Sequence, residues 1–191
     1  MPKRKKLKWK DHKEKWINCY GCDLCEQRDK VVLLRGKIPC DVLFIGEAPG
    51  VSEDTLGKPF VGPAGTLLDN IIEESDPGEL KLAWTNVIAC IPKDDDGHKV
   101  KEPPRYSIEA CSDRLLEVVK LCNPSTIVTV GKLSEVVCKK LIPKKIKGLM
   151  FENIIHPAAI LRMGINKGLA VQRTRDLLTD LFSEVKNPVP F

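Results

Sequence analysis

Residues 41–50 read DVLFIGEAPG, a short apolar run that leads into a turn bounded by Gly46 and Gly50. An apolar run of this length, closed by a glycine, is typical of a buried strand rather than of a helix. The glycines allow close backbone approach at the turn that follows. Glu47 is therefore expected to be a carboxylate at the end of a buried strand.

Further apolar runs follow along the chain and alternate with amphipathic stretches. The predicted strands cover residues 41–45, 80–89, 126–130 and 151–155. The predicted helices cover residues 63–73 and 171–185 and two stretches that begin near Ser107 and Ser134. Strands that alternate with helices imply a mostly parallel sheet with helices on both faces. We therefore predict an α/β fold with three α/β/α layers and a central, mostly parallel four-stranded sheet.

The length of 191 residues suits a single domain with one core. No apolar stretch is long enough to cross a bilayer, and the basic N-terminus lacks the apolar segment of a secretory signal. We therefore expect a cytoplasmic protein with no membrane partner, and we expect a monomer. In that compartment disulfides are rare, so the eight cysteines are interpreted as metal ligands or buried thiols.

The positive charge of the chain is concentrated at its N-terminus. Residues 1–16 carry a formal charge of +6, whereas the whole chain carries +5. So polar a segment is predicted to be a disordered tail over residues 1–16, before a single domain over residues 17–191. A basic tail suits a polyanionic partner, and a purely solubilising extension is an equal alternative.

Ligands of parallel sheets bind beyond the carboxyl ends of the strands, so reactive side chains are expected there. Glu47 and His156 both follow predicted strands, and Asn86 lies within another. Phe60, on a loop rich in glycine and proline, offers a stacking face for a nucleic-acid base, and the amide of Asn86 can read a base edge. Each residue also has a structural alternative: a solvated turn carboxylate, a structural histidine, a capping amide and a core phenylalanine.

Four motifs in this order resemble those of the family-four uracil-DNA glycosylases. They are GEAPG at 46–50, GKPFVGPAG at 57–65, TNV at 85–87 and HPA at 156–158. The resemblance extends from Cys19 to about Leu181. It implies a uracil-DNA glycosylase fold and an enzyme of base excision repair. Such an enzyme hydrolyses the N-glycosidic bond of uracil in single- or double-stranded DNA and leaves an abasic site.

The resemblance also implies roles for individual residues. Glu47 is expected to hold the attacking water or the cationic sugar, and His156 to donate a hydrogen bond to the uracil O2 as it becomes anionic. Phe60 is expected to stack on the flipped base, and Asn86 to pair with its N3 and O4 edge and so to reject cytosine. The other expected contacts are main-chain groups at Ala48, a Glu53 side chain that crowds C5 and excludes thymine, and Leu161-Arg162 as a segment that enters the duplex.

Two of these assignments have a clear alternative or departure. Other glycosylase families of this fold carry an aspartate where Ala48 stands, so water activation here is weaker or depends on Glu47. The alternative for the pair Leu161-Arg162 is a simple surface loop.

The family carries a four-iron, four-sulfur (4Fe-4S) cluster on four cysteines. The resemblance assigns it to Cys19, Cys22, Cys90 and Cys111 in this sequence. Cys25 is a competing ligand, and four cysteines by spacing alone can equally bind zinc. The stretch between Cys90 and Cys111, with Asp94-Asp95-Asp96-Gly97-His98, is longer than in the family. Cys40, Cys122 and Cys138 are predicted to be buried thiols.

The alternative function is a catalytically weak or inactive protein of the glycosylase fold that binds nucleic acid or a partner protein. A variant that traps the abasic sugar covalently would need a histidine in a basic insertion, and His98 lies in an acidic context. An unrelated zinc-binding α/β protein would match the four motifs only by coincidence.

Overall fold

The computed structural model of the chain describes residues 7–94, 100–143, 146 and 148–188. These residues form five strands and seven α-helices, with one 3-10 turn at Asp23–Glu26. The strands are β1 at Arg35–Gly36, β2 at Val42–Gly46, β3 at Leu82–Asn86, β4 at Thr126–Val130 and β5 at Met150–Ile154. The helices are α1 at Trp9–Trp16, α2 at Val51–Leu56, α3 at Pro63–Glu74, α4 at Arg105–Cys122, α5 at Lys132–Leu141, α6 at Pro157–Arg162 and α7 at Lys167–Lys186.

The five strands form one mixed sheet in the order β1-β3-β2-β4-β5. Strand β2 is parallel to both β3 and β4, and β4 is parallel to β5. The four predicted strands are present and run parallel to one another, as predicted. The predicted total of four strands is wrong, because the sheet has five. The fifth strand, β1, pairs antiparallel with the outer edge of β3.

Side-chain contacts rather than sequence pattern hold β1 at this edge. The guanidinium of Arg35 forms an ion pair with Asp69, with an N–O distance of 2.7 Å, and lies 4.2 Å from the ring centroid of Trp84. A strand of two residues is too short to show an alternating pattern, so no sequence signal marks it.

The predicted three-layer arrangement is confirmed. Leu43 and Ile45 of β2 pack into a core with residues of α4 and α5, whereas Val42 and Phe44 pack into a second core with α3 and α7. All five residues of β2 are buried, as expected for a central strand covered by helices on both faces.

The N-terminal segment differs from its prediction. Residues 9–16 form α1, which packs on α4 and buries His12 completely. Glu117 of α4 accepts hydrogen bonds from Lys15 Nζ and Trp16 Nε1, each at 2.6 Å, and its carboxylate lies 2.9 Å from His12 Nδ1. The expectation of disorder is therefore wrong for these eight residues. Trp9, His12 and Trp16 share one helix face and anchor it, although the segment is strongly charged on average.

Some of the predictions fall on residues that the structure does not cover. The beginning of the tail, residues 1–6, lies outside the described residues, and so do residues 95–99 of the long stretch before Cys111. Within the described ranges, no helix combines the length and the apolar character that crossing a membrane requires.

The chain order places the carboxyl ends of four strands side by side. The chain passes from the central strand β2 to β3 on one side and then crosses to β4 on the other, which makes a topological switch point at β2. Such a point opens a crevice at the carboxyl ends of the strands, where ligands of α/β sheets bind. Glu47 and His156 follow β2 and β5, and Asn86 is the last residue of β3.

Candidate functional site

One cavity of about 310 Å³ opens at this edge of the sheet. Its walls bring together seven of the residues predicted from the sequence: Glu47, Ala48, Glu53, Phe60, Asn86, His156 and Arg162. A cavity of this size is at the small end of the range for small-molecule sites. The structure therefore assembles residues from four separate parts of the chain into one pocket.

Phe60 and Asn86 form the wall behind this pocket. Both side chains are almost completely buried, and Phe60 has a positive φ of 56°. A Cβ atom at Gly46 would lie 2.5 Å from Asn86 Oδ1 and 2.6 Å from Phe60 Cζ. The glycine at the end of β2 is therefore required by the close approach of these two side chains.

His156 is held in one orientation at the start of α6. Its Nδ1 accepts a hydrogen bond from the backbone N–H of Ala158 at 3.2 Å, which assigns the proton of the neutral ring to Nε2. Burial lowers the pKa of His156, Arg162 lowers it further, and Glu53 opposes them. The ring is therefore neutral near pH 7 and has a free Nε2–H to donate.

Glu47 is half-buried, and its environment makes ionisation harder. Burial raises the pKa of Glu47, a hydrogen bond with the backbone of Leu133 lowers it, and the charge of Glu102 raises it. The bond to Leu133 comes from the first turn of α5, where backbone N–H groups favour a carboxylate. Glu47 is thus fixed in place by the helix that follows β4.

Gly131 separates the two predicted catalytic side chains, and the sequence assigned it no function. It follows β4 with a φ of 96°, and a Cβ atom there would lie 2.6 Å from Glu47 Oε1 and 3.3 Å from His156 Cβ. Any side chain at this position would push Glu47 and His156 apart. A glycine directly after a buried strand is the sequence signal that points to such a position.

Glu53 lines the cavity, and both of its carboxylate oxygens are bonded to the backbone. Oε2 accepts from the N–H of Gly50 at 3.1 Å, and Oε1 accepts from Val61 and Gly62 at 2.9 and 2.8 Å. Glu53 therefore joins the turn after β2 to the loop that carries Phe60. Its expected contact with C5 of the base stays a prediction.

Three lining residues come from the long stretch between Cys90 and Cys111, which the sequence did not connect with the site. They are Val100, Lys101 and Pro103. An antiparallel bridge between Lys93 and Val100, and a hydrogen bond of 2.8 Å from Lys101 N to Pro92 O, fold this stretch back toward the pocket. The described residues of this stretch thus contribute directly to the cavity wall.

Arg162 and Leu161 lie at the end of α6. Arg162 lines the cavity and is exposed, which places a positive charge at its mouth. Leu161 is exposed to 39% and is not part of the cavity wall. The two residues thus form an exposed basic and apolar pair beside the pocket.

A second pocket lies between α4 and the residues that follow β3. It is lined by four cysteines: Cys19, Cys22, Cys90 and Cys111. Cys25 does not line it. Cys40, Cys122 and Cys138 are buried elsewhere in the core, as predicted. Among the residues that the structure describes, no three His, Cys, Asp or Glu side chains are arranged to hold a metal ion.

Two arginines accompany the cysteine pocket. Arg28 Nη1 lies 3.7 Å from Cys90 Sγ, and its Nη2 donates to the backbone carbonyl of Cys19 at 2.6 Å. Arg114 lines the same pocket and is almost completely buried. Burial raises the pKa of Cys90 to about 12, although the charge of Arg28 opposes this shift. The thiol therefore stays protonated at neutral pH unless a positively charged group binds there.

Comparisons with known proteins agree on one group. The sequence model of the Uracil DNA glycosylase superfamily matches residues 35–178. The type-4 uracil-DNA glycosylase of Pyrobaculum aerophilum is 30% identical over 168 residues, which cover 79% of this chain and 83% of that protein. The type-4 uracil-DNA glycosylase of Archaeoglobus fulgidus is 29% identical over 162 residues, which cover 76% and 79% of the two chains.

The fold has a parallel among solved structures. The crystal structure of wild-type SMUG2 from Pedobacter heparinus superposes with a TM-score of 0.58 over 78% of this chain and 76% of that one. The sequence identity is 16%, so this similarity concerns the fold alone.

Proposed function

We propose that this chain, which belongs to the uracil DNA glycosylase superfamily and to its type-4 family, hydrolyses the N-glycosidic bond of uracil in DNA. The observation that carries the proposal is the convergence of Glu47, Phe60, Asn86 and His156 on one small cavity. The reaction adds water to C1′ of the sugar, releases uracil and leaves an abasic site. It is the first step of base excision repair.

The pocket is suited to a single base taken out of the helix. A base inside a duplex cannot reach a cavity at the end of a sheet, so the nucleotide has to flip out of the stack. Phe60 provides an aromatic face in the pocket wall, and Asn86 provides an amide that both donates and accepts. Donation to O4 and acceptance from N3–H fit uracil, whereas cytosine presents the opposite pattern at both positions.

The departing uracil is stabilised by His156. As the glycosidic bond breaks, negative charge develops on the base and is shared by O2. The neutral ring donates from Nε2, because Nδ1 is occupied by the N–H of Ala158. A fixed donor aimed at developing charge is worth most in a site that excludes water.

Glu47 acts on the sugar, where positive charge develops as the glycosidic bond breaks. Its carboxylate holds the attacking water or stabilises the cationic sugar, and the backbone N–H of Leu133 keeps it oriented. Ala48 brings no second carboxylate, so Glu47 is the acidic side chain on which water activation depends. Main-chain groups at Ala48 contact the base.

Contacts with the rest of the DNA come from outside the cavity. Arg162 at the mouth suits a phosphate, and the exposed Leu161 suits the gap left by the flipped base. The flipping step applies to a duplex, and the same pocket accepts an unpaired uracil in a single strand. Both forms of DNA are therefore proposed substrates for a monomeric, cytoplasmic enzyme.

The four-cysteine pocket is proposed to hold the 4Fe-4S cluster. Four cysteines from three parts of the chain match the donor set of such a cluster, and the buried Nε of Arg114 beside them has no hydrogen-bond partner among the residues that the structure describes. A buried cation with an unused donor suits a site that carries negative charge. The residues that would hold it are Cys19 and Cys22 of the N-terminal segment, Cys90 after β3 and Cys111 of α4.

The test of the glycosylase activity is single-turnover incubation with a uracil-containing oligonucleotide, followed by alkaline cleavage at abasic sites. We expect cleavage at uracil by the wild-type protein, and about 10²-fold slower release by Glu47→Gln and by His156→Ala. Glu109→Gln, on the exposed face of α4, is the matched control and should keep the full rate. A wild-type protein that binds DNA without releasing uracil would instead support the non-enzymatic alternative.

The test of the cluster is the metal content of protein purified without oxygen. We expect about four irons per chain and broad visible absorbance, with both lost in Cys90→Ala and kept in Cys25→Ala. A colourless protein with stoichiometric zinc would contradict the cluster. Loss of iron in Cys25→Ala, but not in Cys19→Ala, would contradict the assigned ligands.

A further inference from the structure

Arg114 is the one fully buried charged side chain that lies between the two sites within the described part of the chain. It is 1% exposed, lines the cysteine pocket, and lies one helical turn after Cys111 on α4. None of the acceptors of its hydrogen bonds is a carboxylate. Burying a guanidinium without an anionic partner costs free energy, so other groups around it have to compensate its charge.

One side of the guanidinium holds the end of strand β3. Nη1 donates to Thr85 Oγ1 at 3.1 Å, and Nη2 donates to the backbone carbonyls of Asn86 at 2.5 Å and of Val87 at 2.8 Å. These bonds fix the backbone from which the Asn86 side chain enters the cavity.

The other side faces the cysteines. Arg114 lines the same pocket as Cys19, Cys90 and Cys111. Nε is buried and has no partner among the described residues. Cysteines that bind a metal group do so as thiolates, and in that state Cys19, Cys90 and Cys111 would balance the charge of Arg114.

The segment from Asn86 to Cys90 connects the two sites through the backbone as well. Asn86 lines the cavity at one end of this segment, and Cys90 lines the cysteine pocket at the other. The N–H groups of Val87 and Ile88 donate to the carbonyls of Gly46 and Glu47 at 2.8 and 3.2 Å. A displacement of this segment therefore moves both the amide of Asn86 and the start of the Glu47 turn.

We propose that Arg114 is a positioning residue that couples the cysteine pocket to the base-reading amide of Asn86. Its charge is balanced by the ligands of the proposed cluster, and its hydrogen bonds hold Asn86 in register with the cavity. The inference rests on the proposed function and deepens it, because it gives the cysteine site a defined effect on recognition of the base.

A double-mutant cycle tests the coupling to Asn86. Arg114→Lys keeps the charge but cannot reach Thr85 and both carbonyls at once, because an ammonium lacks the planar fork. We expect single-turnover uracil release to slow roughly tenfold in the wild-type background and to change little in an Asn86→Ala background. The same factor in both backgrounds would mean a general structural role and would overturn the proposal.

Spectroscopy tests the coupling to the cysteines. Arg114→Met removes the charge, so we expect a more negative reduction potential of the cluster or loss of iron, whereas Arg114→Lys should retain iron and a potential close to that of wild type. Iron content and potential unchanged in Arg114→Met would overturn the proposal. If Arg114→Met does not fold, Arg114→Lys and the cycle decide alone.

Failure of the proposed function and failure of the proposed role of Arg114 give different results. A wild-type protein without uracil release counts against the proposed function, and iron content and potential in the Arg114 variants then still judge the inference. A wild-type protein that is active and holds iron, with additive effects in the cycle, counts against the inference only.

Discussion

At the scale of single residues, the ionisation of Glu47 sets the expected pH dependence. In the proposed mechanism Glu47 acts as a carboxylate, so the rate should fall as pH falls through its pKa, which burial raises above the ordinary glutamate value. His156 contributes no competing change near pH 7, because its lowered pKa keeps the ring neutral there. The acid limb of the single-turnover rate is therefore expected at higher pH than for an ordinary glutamate.

Glu102 offers a specific test of that assignment. Its charge adds to the raised pKa of Glu47, so Glu102→Gln should move the acid limb to lower pH without a change in the plateau rate. The measurement is the single-turnover rate against pH, with Glu109→Gln as the control of equal charge change. An acid limb that responds equally to both variants would show that it does not report Glu47.

Gly131 gives a second prediction at this scale. In Gly131→Ala the new methyl group would lie within 2.6 Å of Glu47 Oε1, and we expect uracil release to slow by tenfold or more. Gly148→Ala is the matched control, since its φ of 77° imposes similar backbone strain while no atom lies within 4 Å of the added Cβ. Both variants should lose stability, as measured by Tm, but only Gly131→Ala should lose activity.

At the scale of elements, helix α1 depends on one carboxylate of α4. Burial alone would raise the pKa of Glu117, but hydrogen bonds from Lys15, Trp16 and His12 outweigh it and hold the pKa below the ordinary value. Burial also lowers the pKa of His12. Both shifts have the same consequence: the anchoring of α1 weakens as pH falls, because the unfolded state binds protons more readily than the folded one.

Removal of this carboxylate should release the helix. We expect Glu117→Ala to cost about 1–3 kcal/mol in the free energy of unfolding, because it leaves the part-buried Nδ1 of His12 and Nε1 of Trp16 without their acceptor. Denaturant unfolding measures the loss, and hydrogen exchange of α1 locates it. Glu109→Ala on the same helix is the control. It removes an ion pair with the exposed Arg105, so it should cost little free energy of unfolding. Equal losses in the two variants would refute the anchoring role.

At the scale of the whole molecule, the N-terminus combines a high positive charge with a packed helix, and truncation can separate the two. Residues 1–6 contain four of its basic residues, and α1 follows from Trp9 with the buried anchor His12. Deletion of residues 1–6 should flatten the dependence of log affinity for duplex DNA on log salt by at most about 0.9 per lost phosphate contact. It should leave Tm and the single-turnover rate at saturation unchanged.

A longer truncation should have a different result. Deletion of residues 1–16 also removes α1 and Trp16, which lines the cysteine pocket, so we expect a lower Tm and reduced iron content. Salt titration, thermal unfolding and iron analysis of the two truncated proteins separate charge from packing. Equal salt slopes for the wild-type protein and the shorter deletion would show that residues 1–6 do not contact DNA.

Local pattern alone determined much of this protein. The apolar run 41–45, the glycine that closes it and the alternation with amphipathic stretches predicted the α/β layers and the parallel strands. Placement of Glu47 and His156 at strand ends pointed to the edge of the sheet where the cavity lies. Such features are readable because strand and helix periods, and the position of ligands in parallel sheets, depend on neighbouring residues and chain order.

The remaining features could not be predicted from local pattern, because they depend on contacts between distant parts of the chain. The two-residue strand β1 exists through Arg35 and its partners, and α1 is held by Glu117, more than a hundred residues away. Gly131 gains its importance from the space that Glu47 and His156 occupy. In the sequence, nothing distinguishes Arg114 from a surface charge on a helix. The fold buries it between the two sites, where its hydrogen-bond partners come from the end of β3.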